Sequence, residues 1–340
     1  MLRGPKSTLH VCGALALALM VAAPAAQADP VADFYRGKTV NVLVGVGAGG
    51  EYDIQARLVA RHIGKHIPGN PNIVPQNMTG AGGLKMINYL YNVAPKDGTT
   101  IGMIANAFPA LQAVGNPGVQ FDASKMNWLG SIAPAVETMA VWHTTGIKTI
   151  EDVRKRETVA GASARGAITY FYPAMMNELL GTRFKIVTGY PGGNAINLAM
   201  ERGEVEARNN TWSSWKATRP AWLAEKKITV IAQAGPRAAD RAAPSVEALA
   251  RNAEERQLIE LVVSGTQLGR PLATNAAPPE RVAALRAAFA ATMKDADFLA
   301  EAKKLNFEVN PVLGEQMQQV IGKVLATPKP IAAKAKGLLE

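Results

Sequence analysis

The chain has 340 residues, a formal net charge of +10, 48% hydrophobic residues and a single cysteine. The hydrophobic share excludes an intrinsically disordered chain, and the length allows two domains of about 150 residues each. The basic balance favours anionic partners, but no lysine–arginine block or aromatic-interleaved basic strip is present, so no nucleic-acid partner is expected.

The N-terminus reads as an export signal. Arg3 and Lys6 are followed by the apolar run Val11 to Ala23 and by the small-x-small pattern Ala26-Gln27-Ala28, which predicts a secretory signal peptide cleaved after Ala28. The apolar run is shorter than the roughly 20 residues a membrane span needs. Cys12 falls inside the segment to be removed. The expected mature chain therefore has no disulfide, no cysteine-ligated metal and no cysteine nucleophile.

From Thr39 onward, strand-like and helix-like patterns alternate. "TVNVLVG" leads into "EYDIQARLVARHIGKHI", whose Ile54, Leu58, Ile63 and Ile67 keep helical spacing. "PGNPN" stops that helix and "IVPQN" reads as the next strand. "TGAGG" opens a helix at "LKMINYLYNV", and "APKDG" turns into the strand "TTIGMIA". Beyond about Ile132 the theme restarts: "TMAVW" and "TVAGAS" are strands, and "AITYFYPAMMNELLG" is a helix. "FKIVTG" then runs through "YPGGN" into the helix "AINLAMERG", and "ITVIAQAG" is a further strand. The rest reads as helical, with Pro278-Pro279-Glu280 starting a proline-led helix.

A strand, a glycine turn and a helix thus recur four times, twice in each half, which predicts an α/β architecture with largely parallel sheets. In such sheets ligands bind at the carboxyl ends of the strands. Each turn exposes backbone amides at a helix N-terminus, where the helix dipole favours an anion. Four such ends facing one cleft suit a small anion with acidic groups at both ends. Glycines that merely permit tight turns are the plainer reading of any one turn.

Other motifs fail on their partners. Gly45, Gly47 and Gly50 satisfy G-x-G-x-x-G, but no Asp or Glu occurs between Ile54 and Lys96 to take a ribose hydroxyl. "GASARG" around Ser163 resembles a nucleophile elbow, yet Arg165 stands at the final glycine and no histidine follows His143. His62 and His66 have zinc-binding spacing but basic neighbours, and read as a solvated helix face. Trp212, Trp215 and Trp222 could wall a ligand's carbon skeleton or be buried helix faces. Arg165, in a cleft turn, could clamp a carboxylate in bidentate fashion or form a surface salt bridge.

Taken together, the turns resemble those of the periplasmic solute receptors of tripartite tricarboxylate transporters, the Bug family. Gly45 to Asp53 matches the family's first-strand turn, Thr79 to Gly83 its "PGAGG", and Ala94 to Gly98 its "APDG" with one insertion. Tyr190-Pro191-Gly192 and Leu198 to Glu206 resemble its "Y-x-G…DLLGGQVD". Gly45-Val46 replaces the family's Pro-Phe, and "ASARGAITY" replaces its serine- and histidine-bearing turn, which marks a divergent branch.

The resemblance implies a two-lobed, periplasmic-binding-protein type II-like α/β fold with a ligand cleft between the lobes. Residues 1–28 would be the signal peptide, 29–135 lobe 1, 136–250 lobe 2, and 251–340 the return to lobe 1 with the C-terminal helices. It implies a monomeric periplasmic receptor that captures a di- or tricarboxylate or an aromatic acid, performs no catalysis, needs no cofactor or metal, and hands its ligand to integral membrane transporter subunits. The alternatives are an exported sensor for a membrane kinase and an exported serine hydrolase. The expected ligand-binding residues are Gly47, Ala48, Gly49, Gly50, Tyr52 and Asp53 in the first turn and Gly80, Ala81 and Gly82 in the second. Asn106 follows, then Ser163, Ala164, Arg165 and Gly166 in the third turn, Tyr190 and Gly192 in the fourth, and Asn210 and Trp212 beyond it.

Overall fold

The computed structural model describes residues 29–235 and 243–339, together with Met1, Leu2 and Gly4. The apolar run and cleavage site of the expected signal peptide lie outside the described residues. Among the described residues no helix is long and apolar enough to cross a membrane.

Two sheets organise the chain. The first contains β1 (Thr39–Val44), β2 (Asn72–Asn77), β3 (Thr100–Met103) and β4 (Asn127–Ser131). The second contains β5 (Glu137–Trp142), β6 (Thr158–Gly161), β7 (Phe184–Val187), β8 (Ala207–Thr211) and β9 (Ile228–Ala234). The chain then returns to the first sheet with β10 (Leu272–Thr274) and β11 (Val312–Leu313). The orders are β11-β4-β10-β3-β1-β2 and β7-β6-β8-β5-β9. β1 lies parallel to both β2 and β3, and β6 to both β7 and β8; β10 enters antiparallel between β3 and β4. Pro75 sits in β2, an edge strand, where a missing ladder donor is tolerated.

The β1 sequence explains its place. Val40, Val42 and Val44 are buried together with Leu58, Val59 and Ile63 of the helix Glu51–Ile63 and with Phe289 and Phe298. Each such side chain contributes about 1.5–3 kcal/mol by leaving water. His62 of the same helix and His66 of the 3-10 turn Gly64–His66 that follows it face the helix Ala296–Lys304 and its cap. His62 meets Glu301 at 2.7 Å and His66 meets Asp295 at 3.1 Å, so this expected solvated face is in fact packed against carboxylates.

The helices of the C-terminal stretch pack beside both sheets. The helices Pro279–Thr292, Ala296–Lys304 and Gly314–Leu325 pack on β4 or on the helix Glu51–Ile63. The helices Ala253–Val263 and Lys329–Leu339 pack on each other and on the helix Ile168–Leu180, beside the second sheet. Their Ile259, Val262 and Ala335 are buried in one cluster with Phe171, Met175 and Met176.

Two crossings between the sheets, from β4 to β5 and from the helix Ala253–Val263 to β10, meet each other. The crossings are tied by the Ala135 amide donating to the Thr266 carbonyl at 2.7 Å. They approach so closely that a Cβ on Gly269, whose φ is +64°, would lie 1.8 Å from the Ala133 oxygen. Only glycine fits there.

Candidate functional site

The four glycine turns meet in pairs across the interlobe cleft. The Gly47 amide donates to the Pro191 carbonyl at 3.0 Å, joining the first turn to the fourth. Gly82, at φ +65°, faces Ala164 and Ala167, joining the second to the third; a Cβ there would lie 3.2 Å and 3.3 Å from their methyl groups. Gly50 and Gly192 are the N-cap residues of the helices Glu51–Ile63 and Gly193–Glu201. The first turn keeps its shape through Asp53, whose Oδ2 accepts the Gly49 amide at 3.0 Å while Oδ1 accepts from Arg57 and Asn77, both at 2.9 Å. Burial opposes ionisation of Asp53, but these hydrogen bonds outweigh it and hold the carboxyl below its ordinary range.

Between the turns lies a cavity of about 80 Å³. Val46, Ala105, Ala107 and Ile168 give it apolar wall; Glu51, Glu137, Arg208 and Arg270 bring charge to it. Glu51 joins the two lobes. Its carboxylate accepts from Thr211 and Ser213 of the second lobe, and Arg270 Nη2 lies 2.7 Å from it. Arg270 also stacks on the Tyr52 ring, 4.3 Å from its centroid, and donates to the Tyr52 hydroxyl at 3.3 Å. Burial disfavours the Arg270 charge, yet the Glu51 carboxylate reverses that and holds its pKa above the ordinary value. Glu137, 1% exposed, lies 3.6 Å from Arg270. Burial pushes its carboxyl up, and Arg270 only partly opposes the shift.

Arg208 is different. It leaves β8, is 3% exposed, and is held by the Asn209 carbonyl at 3.0 Å, the Gly193 carbonyl at 2.5 Å and Asn197 Oδ1 at 2.6 Å. Its guanidinium lies 5.3 Å from the Trp215 ring centroid. All its partners are neutral: among the described residues no carboxylate comes within ion-pair distance, and Nη2 donates no hydrogen bond. Burial lowers its pKa to about 9, which still leaves it positive at neutral pH. A buried cation held in position without an ion-pair partner is suited to receive an anion, because an arriving carboxylate repays desolvation already incurred.

The structure sorts the expected residues. Gly50, Tyr52, Gly82, Asn106, Ser163, Gly192 and Asn210 line the cavity. Gly47, Ala48, Gly49, Gly80, Ala81, Ala164 and Gly166, in the turns, and Asp53, in the first turn of the helix Glu51–Ile63, are not among the residues that line it. Arg165 lies on the exposed rim, where its guanidinium stacks 5.4 Å from the Tyr170 ring centroid and donates to the Tyr170 hydroxyl at 3.2 Å. Tyr190 and Trp212 pack against the cluster holding buried Trp215 and Trp222. Ser163 Oγ is 3.1 Å from Thr169 Oγ1, with no imidazole in that pairing. Among the described residues no group of three or more His, Cys, Asp or Glu could hold a metal ion.

Sequence reasoning missed Glu51, Glu137, Arg208 and Arg270. Glu137 and Arg208 carried a usable signal: each is a charged residue in a buried strand, which is costly unless something compensates it.

No protein-family model matches the chain. It is similar to the UPF0065 protein in the gbd 5′ region of Cupriavidus necator, with 26% identity over 332 residues and 93% of each chain covered. Its fold matches that of the periplasmic binding protein BugD, with TM-score 0.70, 18% identity, and 89% of this chain and 99% of that one covered. It also matches MatC from Rhodopseudomonas palustris, solved with bound malate, with TM-score 0.67, 17% identity and coverage of 89% and 99%. An R. palustris protein solved with adipate matches with TM-score 0.68, 19% identity and coverage of 88% and 97%. The chain has the two-lobed α/β fold of periplasmic binding proteins.

Proposed function

We propose that the protein is a periplasmic solute receptor of the Bug type, which captures a small organic carboxylate and delivers it to a tripartite tricarboxylate-type membrane transporter. The observation that carries this reading is Arg208, a buried guanidinium without a carboxylate partner, beside a cavity closed by the turns of both lobes. Structures of the same fold with malate and adipate support it.

Each lobe contributes to the cavity, so a ligand that touches both stabilises the closed arrangement over the open one. Arg208, Asn210 and Gly192 act from the second lobe, and Gly50 and Tyr52 from the first. The lobes also touch directly, Gly47 with Pro191 and Glu51 with Thr211 and Ser213. Binding and release are then one conformational equilibrium, and no covalent chemistry is required.

A thermal-shift panel of mono-, di- and tricarboxylates and amino acids, run on refolded mature protein, tests the reading. A ligand present at 100 times its Kd adds about 2.7 kcal/mol to the folded state and raises the melting temperature visibly. The absence of a shift with every carboxylate-bearing compound would refute it.

A further inference from the structure

Two buried carboxylates share one guanidinium beside the cavity. Arg270 Nη2 lies 2.7 Å from Glu51, which also accepts from Thr211 and Ser213. Glu137 is left with the longer contact, Arg270 Nη1 at 3.6 Å. Neither of its oxygens accepts a hydrogen bond among the described residues. Asn106 and Asn209 are its neighbours, but their Nδ2 groups donate to the carbonyls of Gly265 and Thr138. Buried carboxylate oxygens are normally satisfied. One that is 1% exposed, with neither a hydrogen bond nor a cation of its own, is the group that a proton neutralises most readily.

The charges give that proton a function. Among the described residues, the charged groups lining the cavity are Glu51, Glu137, Arg208 and Arg270. All are at most 6% exposed, and two negative groups balance two positive ones. A carboxylate that enters at Arg208 adds one negative charge to this enclosed set. Side chains alternate along a strand, so Arg208 leaves one face of β8, while the register puts Glu137 on the Asn209 face. The ligand therefore acts on Glu137 without touching it, through a field that water screens little in a buried site. Arg208 already feels the Glu137 charge in the same way.

The other groups facing Glu137 keep their charge states. Tyr52, from the helix Glu51–Ile63, and Tyr172, from the helix Ile168–Leu180, stay neutral because burial raises both hydroxyls. Arg208 and Arg270 stay positive at neutral pH. Glu51 is fixed by Arg270 and two hydroxyls. β9, the other neighbour of β5, carries no titratable side chain.

Resting on the receptor reading above, we propose that Glu137 is a proton site coupled to the ligand site: the carboxylate enters together with a proton from solvent, which binds the Glu137 carboxylate and restores the charge balance. Affinity is then highest where Glu137 is protonated. It falls as pH rises, by at most about tenfold per pH unit for one proton.

The test is calorimetric titration of the refolded mature protein with acetate, benzoate, succinate and glutarate, the tightest binder serving as the probe. At about pH 6.5 and about pH 8 such a probe is itself ionised. The wild-type Kd should weaken at least threefold between the two, and the binding enthalpy should differ between phosphate and Tris buffers by the proton taken up. Glu137→Gln, which keeps the shape and removes the charge, should hold its Kd within about twofold across the same range and bind more tightly than the wild type at the higher pH. A wild-type Kd independent of pH, with an enthalpy independent of buffer, would overturn this inference and leave the receptor reading intact. So would a folded Glu137→Gln variant with the wild-type pH dependence, because the proton would then bind elsewhere. If none of the four acids binds, this inference falls, and the wider carboxylate panel decides the receptor reading. The wild-type titration can overturn the proposal without the variant, so a folding defect in Glu137→Gln does not blunt the test.

Discussion

Replacing Arg208 separates its two roles. In Arg208→Met, the cavity loses, among the described residues, its one lining cation without a carboxylate at ion-pair distance, and with it a charge-assisted hydrogen bond to the ligand carboxylate. Such a bond is worth about 1.5–3 kcal/mol, which is roughly a 10- to 150-fold weaker Kd. The same change removes the donors now serving the Gly193 carbonyl, Asn197 Oδ1 and the Asn209 carbonyl, so the variant should also melt at lower temperature. Arg208→Lys restores a charge but not the planar fork, so it should recover part of the affinity and little of the three-way hydrogen bonding. Isothermal titration gives Kd, and a melt of each ligand-stripped variant reports folding independently. A folded Arg208→Met protein that binds its carboxylate with wild-type affinity would refute the reasoning, because the anion would then be held elsewhere.

Three further substitutions probe the frame of the site. Gly47→Val adds a side chain whose Cβ would start 3.3 Å from the Pro191 carbonyl oxygen, an interlobe contact. It should penalise closure by about 1–3 kcal/mol, weakening ligand binding while the melt without ligand stays near wild type; an unaltered Kd would show that the turns do not meet on binding. Glu51→Ala strips the buried Arg270 of its close carboxylate and should cost about 3–5 kcal/mol in a urea titration, an expectation defeated by an unchanged midpoint. Asp53→Asn removes a carboxylate whose folded pKa is depressed. Its stabilisation is complete above the unfolded value of about 3.9 and is lost as pH falls through the folded one. The wild type should therefore lose stability steeply below about pH 4, and the variant, weaker by about 1–3 kcal/mol at neutral pH, should lose less over that range. Parallel acid profiles for the two proteins would contradict this.

Much of the frame was legible in the residues. The apolar runs gave β1 to β3, β5 to β7 and β9, because each pairs a short hydrophobic stretch with a turn signal. The strands without a segment of their own in that reading are β4, with its mixed "NWLGS", β8, with its polar "ARNNT", and the short returns β10 and β11. β10 is three residues long directly after Arg270-Pro271, so no periodicity could announce it. Its central position between β3 and β4 is decided by tertiary packing alone. The glycine turns were visible because their chemistry is local.

The charged heart of the site was harder to see, since its logic is relational. Arg165 attracted attention by lying in a cleft turn, but Tyr170 on the following helix takes its guanidinium at the rim. Arg208 sits among residues that look like an ordinary strand end. Only the carbonyls of Gly193 and Asn209 and the amide of Asn197, brought together by folding, turn it into a fixed and unneutralised charge. Glu51 likewise looked like a helix-start acid, which favours a helix N-terminus, until Arg270, 219 residues away, met it.

The position of the ligand carboxylate tests the central claim most directly. A crystal structure of the protein with a carboxylate shown to bind it should place a carboxylate oxygen about 2.7–2.9 Å from the Arg208 guanidinium, inside the cavity framed by Gly50 and Gly192. A bound carboxylate that leaves Arg208 without an anionic contact, or that lies outside this cleft, would contradict the account.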